Sequence, residues 1–159
     1  MGVRGCIGKS VTREMFASPL NVHPQTEHWA ACGRDSYFGA HLNAYSQPWL
    51  GACLVNPEYE DAELAKAVQW ALTAATAVAP TLLVLCLPRW TNKKYFAHLS
   101  DAPSHAHLLC TVPEGRFNFT PASYGESVRK SHHAHFEVDF WLVGNAAGLQ
   151  SFTVSRSAR

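Results

Sequence analysis

Two short stretches of the chain hold residue types that chemistry on a nucleobase would use. The first is Asn56-Pro57-Glu58-Tyr59. An adenine amino group carries two N–H donors and a lone pair drawn into the ring, so it is a poor nucleophile. A side-chain amide oxygen and a backbone carbonyl that accept its two N–H bonds favour the pyramidal, reactive form. A proline stiffens the turn that aims the carbonyl. An aromatic ring can then stack on the base, an interaction worth roughly 1–3 kcal/mol. Asn56, the carbonyl of Pro57 and Tyr59 supply these parts in order. Taken alone, the same residues better suit a turn that ends a strand, with Tyr59 packed on the core.

The second stretch is Glu14-Met15-Phe16-Ala17-Ser18-Pro19-Leu20-Asn21. An acid followed by a turn of small residues suits a nucleoside cofactor. Small side chains let the backbone approach, and a carboxylate accepts from ribose hydroxyls or meets an amino group. An ordinary turn has the same composition.

Other clusters point less clearly to chemistry. His105 and His107 stand two apart, as do His133 and His135, with His132 adjacent. Alternate residues of a strand share a face and can hold a metal, but no cysteine or carboxylate stands at a matching spacing, so no metal site is expected. Trp90-Thr91-Asn92-Lys93-Lys94-Tyr95-Phe96 mixes basic and aromatic residues. It suits either a loop anchored by its rings or the wall of an acceptor groove, with lysines on phosphate and a ring on a base. Arg129-Lys130 reads as a surface pair.

Strand ends must position these groups. Apolar runs over residues 50–55, 81–87, 107–112 and 136–143 each stop at a proline or glycine turn. Continuous runs of this length predict strands covered on both faces, as in a central α/β sheet. In the last run Phe136, Val138, Phe140 and Leu142 alternate with Glu137, Asp139 and Trp141. That alternation predicts a wetter face, near a sheet edge or in an antiparallel strand. Residues 61–79 predict a helix, with Leu64, Ala67, Val68, Ala71, Leu72, Ala75 and Val78 on one stripe. Glu60, Asp61 and Glu63 stand at its start, where the helix dipole favours acids, and Pro80 ends it. A further strand is expected near residues 10–16 and a short helix at 28–32. Ligands in open α/β sheets sit beyond the carboxyl ends of strands, which is where both candidate stretches fall.

At 159 residues the chain suits one domain with one core. Hydrophobic residues make up 47% and charged residues 16%, which excludes a disordered tail. The net charge of +1 gives no broad basic field, so RNA binding would need a local patch or stacking. The 5 cysteines are unpaired in spacing, and Cys53 and Cys86 lie in apolar runs, which predicts reduced thiols inside the cell. No apolar run is long enough to span a bilayer. The start, Met1-Gly2-Val3-Arg4-Gly5-Cys6, departs from an acylation signal at Cys6. Arg4, Lys9 and Arg13 without an acid are compatible with organelle targeting or with a plain terminus.

The ordered set of motifs resembles the methyltransferase domain of the phosphorylated-CTD-interacting factor 1 family, the cap-specific adenosine-N6 methyltransferases. Met15-Phe16-Ala17-Ser18-Pro19-Leu20-Asn21 resembles that family's cofactor segment, Phe-Ala-Ser-Pro-Leu-Asn. Asp35-Ser36-Tyr37-Phe38-Gly39 resembles the Asp-Gly-Tyr-Phe-Gly segment that follows it. Asn56-Pro57-Glu58-Tyr59 falls where the family has its catalytic Asn-Pro-Pro-Phe, and Leu87-Pro88-Arg89-Trp90 where a strand ends in Pro-Glu-Trp. The resemblance spans roughly residues 14–145.

The resemblance implies an α/β, reduced Rossmann-like methyltransferase fold with a mixed sheet. The chain is expected to form a single methyltransferase-like domain over 1–159, with 1–9 and 146–159 peripheral. It implies S-adenosylmethionine as donor, held by Glu14, Phe16, Ala17, Ser18, Asn21, Asp35 and Phe38. It implies an acceptor adenosine at the capped 5′ end of RNA, usually 2′-O-methylated, held by Asn56, Pro57, Glu58 and Tyr59. Arg89, Trp90, Lys93 and Lys94 would contact the RNA. No metal and no membrane are expected; a nuclear or organellar location and a larger assembly are compatible.

Three departures from the family pattern stand out. Glu58 replaces the second proline and sets a carboxylate where phosphate must approach. Arg89 replaces an acid, and would offset that charge or meet phosphate. The chain has no counterpart of the family's WW domain or of much of its helical N-terminal region. Glu58, the short length and the missing accessory regions favour the alternative, a catalytically inactive protein of the same fold serving as a structural or RNA-binding subunit.

Overall fold

The computed structural model describes residues 11–17, 22, 26–30, 33–119 and 132–152. Its strands are β1 (Arg13–Glu14), β2 (Glu27–Ala30), β3 (His41–Leu42), β4 (Gly51–Val55), β5 (Thr81–Pro88), β6 (Ala106–Val112), β7 (Asn118–Phe119), β8 (His132–His133) and β9 (Val138–Gly144). Its helices are α1 (Asp61–Ala75), α2 (Lys94–Ser100) and α3 (Ala146–Ser151), with 3-10 turns at Gly33–Phe38 and Ala44–Ser46.

A 7-stranded sheet runs in the order β3-β2-β1-β4-β5-β9-β6. The block from β3 to β5 is parallel throughout, and β9 lies antiparallel between β5 and β6. The fold is therefore α/β with a mixed sheet. The parallel β4–β5 pair is joined through α1, a crossover that parallel neighbours require.

Side chains alternate across the strands, and both faces are covered at β5 and β9, whereas β6, expected from its apolar run to be covered on both faces, is largely exposed. On one face Cys53, Val55, Leu83, Leu85, Leu87, Trp141 and Val143 pack with Leu64, Ala67, Val68 and Ala71 of α1 and with Tyr95 and Leu99 of α2. On the other, Leu82, Val84, Cys86, Phe140 and Leu142 pack with Ala134, Phe117 and Phe152. This explains why the runs at 81–87 and 138–144 are apolar at nearly every position, Asp139 being the one charged exception, rather than at every second one.

Several sequence expectations are corrected. Where a short helix was expected at 28–32, residues 28–30 belong instead to β2 (Glu27–Ala30), recruited by pairing with β1 and β3 rather than by any pattern of its own, and residues 31–32 lie outside the described residues. The strand near 10–16 shrinks to Arg13–Glu14. Helix α1 stops at Ala75 instead of 79, because the Thr76 N–H and hydroxyl both turn back to the Thr73 carbonyl. Val78, placed on the core stripe by its spacing, is 98% exposed. The last strand, β9, is antiparallel but is not an edge. Every residue of it is buried, and the exposed edge is β6.

The 146–151 part of the supposed periphery is the short helix α3. Asn145 caps it through Gly148 N–H (2.7 Å) and also accepts from Thr81 N–H (3.2 Å), while its Nδ2 donates to the carbonyls of Ala77 and Ala79. The start of β5 is thereby tied to the end of β9. No helix among the described residues is long and apolar enough to cross a membrane.

Candidate functional site

The sheet reverses its strand order between β1 and β4. From β1 the chain proceeds outward through β2 and β3, and from β4 through β5 in the opposite direction. Connections leaving two such neighbours diverge, and the crevice between them is where open α/β sheets take ligands. Here the two exits are the candidate stretches. Glu14 is in register with Leu54, and the Met15 N–H donates to the Leu54 carbonyl at 2.9 Å. Phe16 and Ala17 therefore leave beside Val55 and Asn56. The Ala17 N–H turns to the Trp29 carbonyl of β2 at 2.9 Å.

At the β4 exit Asn56 is exposed, Pro57 buried, Glu58 exposed and Tyr59 half-buried. The Glu60 N–H donates to the Glu58 carbonyl, and the Leu64 N–H then donates to the Glu60 carbonyl. The turn thus runs directly into α1. Tyr59 folds back over it. Its hydroxyl lies 3.2 Å from Asn56 Oδ1, 3.5 Å from the Cys86 carbonyl and 3.4 Å from Cys86 Sγ. Burial pushes the Tyr59 hydroxyl far above its ordinary range, and the neighbouring Cys86 adds to this. Burial likewise raises the Cys86 thiol to about 11, against a lowering by its bond to Tyr59. Both groups are neutral at physiological pH and keep their protons for hydrogen bonding.

Three rings border this turn. Tyr59 meets Phe136 edge-on with centroids 5.8 Å apart, and Phe136 meets Trp90 in the same way at 5.8 Å. They come from the β4 exit, the β9 approach and the β5 exit, and all three are half-buried. Sequence reasoning missed Phe136 here because it assigned that ring to a strand.

Phe16 is held in a second aromatic group. It packs edge-on against Tyr45 (5.6 Å) and Trp49 (5.7 Å), and Tyr45 in turn meets Trp70. Glu63 accepts from the Tyr45 hydroxyl, and Lys66 Nζ sits 3.7 Å from the Tyr45 ring centroid. The group fastens the β1 exit to α1. No spacing signals it, since its four rings come from separate elements.

Compared with known proteins, the chain matches no family model and no curated protein.

The remaining candidates divide by position. Asp35 is half-buried and Phe38 is 67% exposed on the 3-10 turn between β2 and β3, so β1 and β2 separate them from β4. Ser18 and Asn21 lie outside the described residues. Trp90 joins the ring group. Lys93 pairs with Asp61, and Lys94 is exposed; with Ala62, Ala65, Asn92 and Tyr95 they line a depression of about 410 Å³ between the starts of α1 and α2. The buried Tyr95 hydroxyl donates to the Pro88 carbonyl at 2.5 Å, fixing the β5 exit; burial raises it to about 12.

Arg89 points to neither Glu58 nor open solvent. Its Nη1 donates to both Asp139 carboxylate oxygens (3.0 and 3.2 Å) and to Thr111 Oγ1 (3.0 Å), and its Nε faces Glu137 at 3.5 Å. The signal was present in the sequence as an acid, Asp139, inside an otherwise apolar strand. One further feature went unread. His28 is 8% exposed and its Nε2 has no hydrogen-bond partner. Among the described residues no group of three or more His, Cys, Asp or Glu could hold a metal ion; His107, His133 and His135 are exposed, and His105 Nδ1 lies against the Gly144 carbonyl.

Proposed function

We propose that the chain is a Rossmann-like, S-adenosylmethionine-dependent adenine-N6 methyltransferase acting on RNA, with the cap-adjacent adenosine as acceptor. The observation that carries this reading is the pairing of the two exits. The Glu14–Ala17 stretch leaves β1 directly beside Asn56-Pro57, at the point where the sheet order reverses.

The β1 side fits a nucleoside donor by its chemistry. The Glu14 carboxylate suits ribose hydroxyls or an amino group. Ala17 carries only a methyl side chain, which would let a ligand approach the backbone closely. His28, in register with Glu14 on β2, carries a buried Nε2 that a ligand hydroxyl would satisfy. When bound, the donor supplies an electrophilic methyl carbon and a neutral thioether leaving group.

The β4 side would hold the acceptor. Asn56 Oδ1 and the Pro57 carbonyl accept the two amino N–H bonds, and Tyr59 offers its ring to the base. Transfer forms the N–C bond as the C–S bond breaks, and the surplus amino proton leaves to water. The protein contributes chiefly placement, which is enough to remove several kcal/mol of barrier. Trp90, Lys94 and the depression beside them offer a continuation for the RNA chain.

One observation favours the alternative of an inactive structural or RNA-binding subunit. Glu58 is exposed beside Asn56, and Arg89 is committed to Asp139 rather than to neutralising it. The test is methyl transfer from labelled donor to capped RNAs that differ in the first nucleotide. Label on adenosine-initiated RNA supports the enzyme. Binding of S-adenosylhomocysteine without transfer supports the alternative, and neither binding nor transfer sinks both.

A further inference from the structure

We propose that Tyr59 is a positioning residue for Asn56: its hydroxyl, itself anchored by Cys86, sets which way the Asn56 carboxamide faces. This rests on the proposed function for its chemical meaning, but not for its test.

The argument begins with freedom. Asn56 is exposed, and the terminal torsion of an asparagine is broad and nearly two-fold. An unrestrained amide would exchange its oxygen and its NH2. With NH2 outward it would meet an amino-group acceptor donor to donor, and the substrate would be repelled. Something must fix the oxygen, and Tyr59 Oη, 3.2 Å away, is the hydroxyl placed to do it.

The hydroxyl has one hydrogen and a choice of acceptors. Asn56 Oδ1 at 3.2 Å is closer than the Cys86 carbonyl at 3.5 Å, so the amide takes it. Cys86 then completes the chain. Its Sγ lies 3.4 Å from Tyr59 Oη, where either atom could donate; with the phenol hydrogen given to Asn56, the protonated thiol is the group left to donate to the phenol oxygen. The order is S–H to O–H to amide oxygen, each group donating one step toward Asn56. A carboxamide oxygen has two lone pairs, so the second remains for a substrate N–H.

The arrangement also explains why a tyrosine is used. Stacking needs only the ring, and phenylalanine would provide it. The hydroxyl adds direction, and the edge contact with Phe136 holds the ring plane.

The experiment compares the wild-type chain with Tyr59→Phe, Cys86→Ala and Cys86→Ser. Nitrogen relaxation of the Asn56 side-chain amide should report an ordered group in the wild type and an averaged one in Tyr59→Phe. Cys86→Ala should loosen it partly, and Cys86→Ser, which keeps a donor, should restore it. Equal order in wild type and Tyr59→Phe overturns the inference. In the transfer assay Tyr59→Phe should lower kcat roughly tenfold, the equivalent of one hydrogen bond, and leave KM for capped RNA within about twofold because the ring remains. An unchanged kcat also overturns it. If the wild type transfers no methyl, the proposed function falls, and the amide relaxation still decides this inference.

Discussion

Arg89 is bound to Asp139 from across the sheet end: one guanidinium nitrogen contacts both oxygens of a carboxylate that is 0% exposed, at 3.0 and 3.2 Å. Thr111 donates to the same carboxylate at 2.6 Å, so three elements meet on one buried charge. The Arg89 backbone N–H adds a bond to the Glu137 carbonyl, which fixes the start of the Trp90 turn. Removing one partner of a buried pair commonly costs about 3–5 kcal/mol, and Arg89 is partly open to water, so about 2–4 kcal/mol is expected for Arg89→Ala. Urea unfolding of Arg89→Ala, Asp139→Ala and the double variant should show the double costing less than the sum. Additive losses would mean that the pair is not coupled.

Asn56→Ala should abolish transfer to capped RNA and leave the melting temperature and S-adenosylhomocysteine binding nearly as they were. The side chain is exposed, and exposed substitutions rarely shift stability by more than about 0.5 kcal/mol. Retained turnover would remove Asn56 from the chemistry.

Glu58→Gln removes a carboxylate beside the proposed acceptor site without changing the backbone. RNA affinity should rise a few-fold at low salt, and the gain should shrink as salt screens the charge, on the order of a 10 Å reach at 0.1 M. An affinity that does not change at low salt would show that phosphate passes elsewhere.

The short helix after β9 should tolerate no side chain at Gly148. A Cβ there would lie 2.0 Å from the Thr81 carbonyl oxygen, inside any permitted contact. Gly148→Ala should cost about 1–3 kcal/mol by overpacking, and Asn145→Ala a comparable amount through its lost cap and carbonyl bonds. Thermal melts of the two variants check this, and a melt within a degree of wild type would contradict it.

Thiol chemistry offers a check on burial. Raised thiol pKa values, about 12 for Cys53 and about 11 for Cys86, leave almost no thiolate at pH 8, while Cys110 is exposed. Brief alkylation at pH 8 followed by peptide mass spectrometry should mark Cys110 and spare Cys53 and Cys86. Raising the pH toward 11 should bring Cys86 in before Cys53.

Four strands and α1 were legible because each carries its own pattern: β4, β5, β6 and β9 are predominantly apolar runs, and α1 has a clear stripe. The strands on the other side were less so. The sequence places β1 only somewhere near 10–16, suggests a short helix where β2 lies and does not mark β3; β1 and β3 have two residues each, and neighbours make all three strands. Polar letters in β9 suggested water, but Asp139 meets a cation instead, and composition alone does not distinguish a solvated acid from a paired one. At the site, residue types named the Asn56–Tyr59 turn and the Glu14–Ala17 exit. Their adjacency, the Tyr59 hydroxyl bonds and the part played by Phe136 depend on tertiary placement, which no local spacing encodes.

β9 enters between β5 and β6 and is the strand to which both bond. During synthesis these two therefore wait, with unsatisfied inner edges, until residues 138–144 have left the ribosome. A nascent chain stalled before that point would display two apolar strands separated by a vacant lane. Holding factors that shield extended hydrophobic segments should engage the nascent chain most strongly in that interval, and release it once the lane is filled.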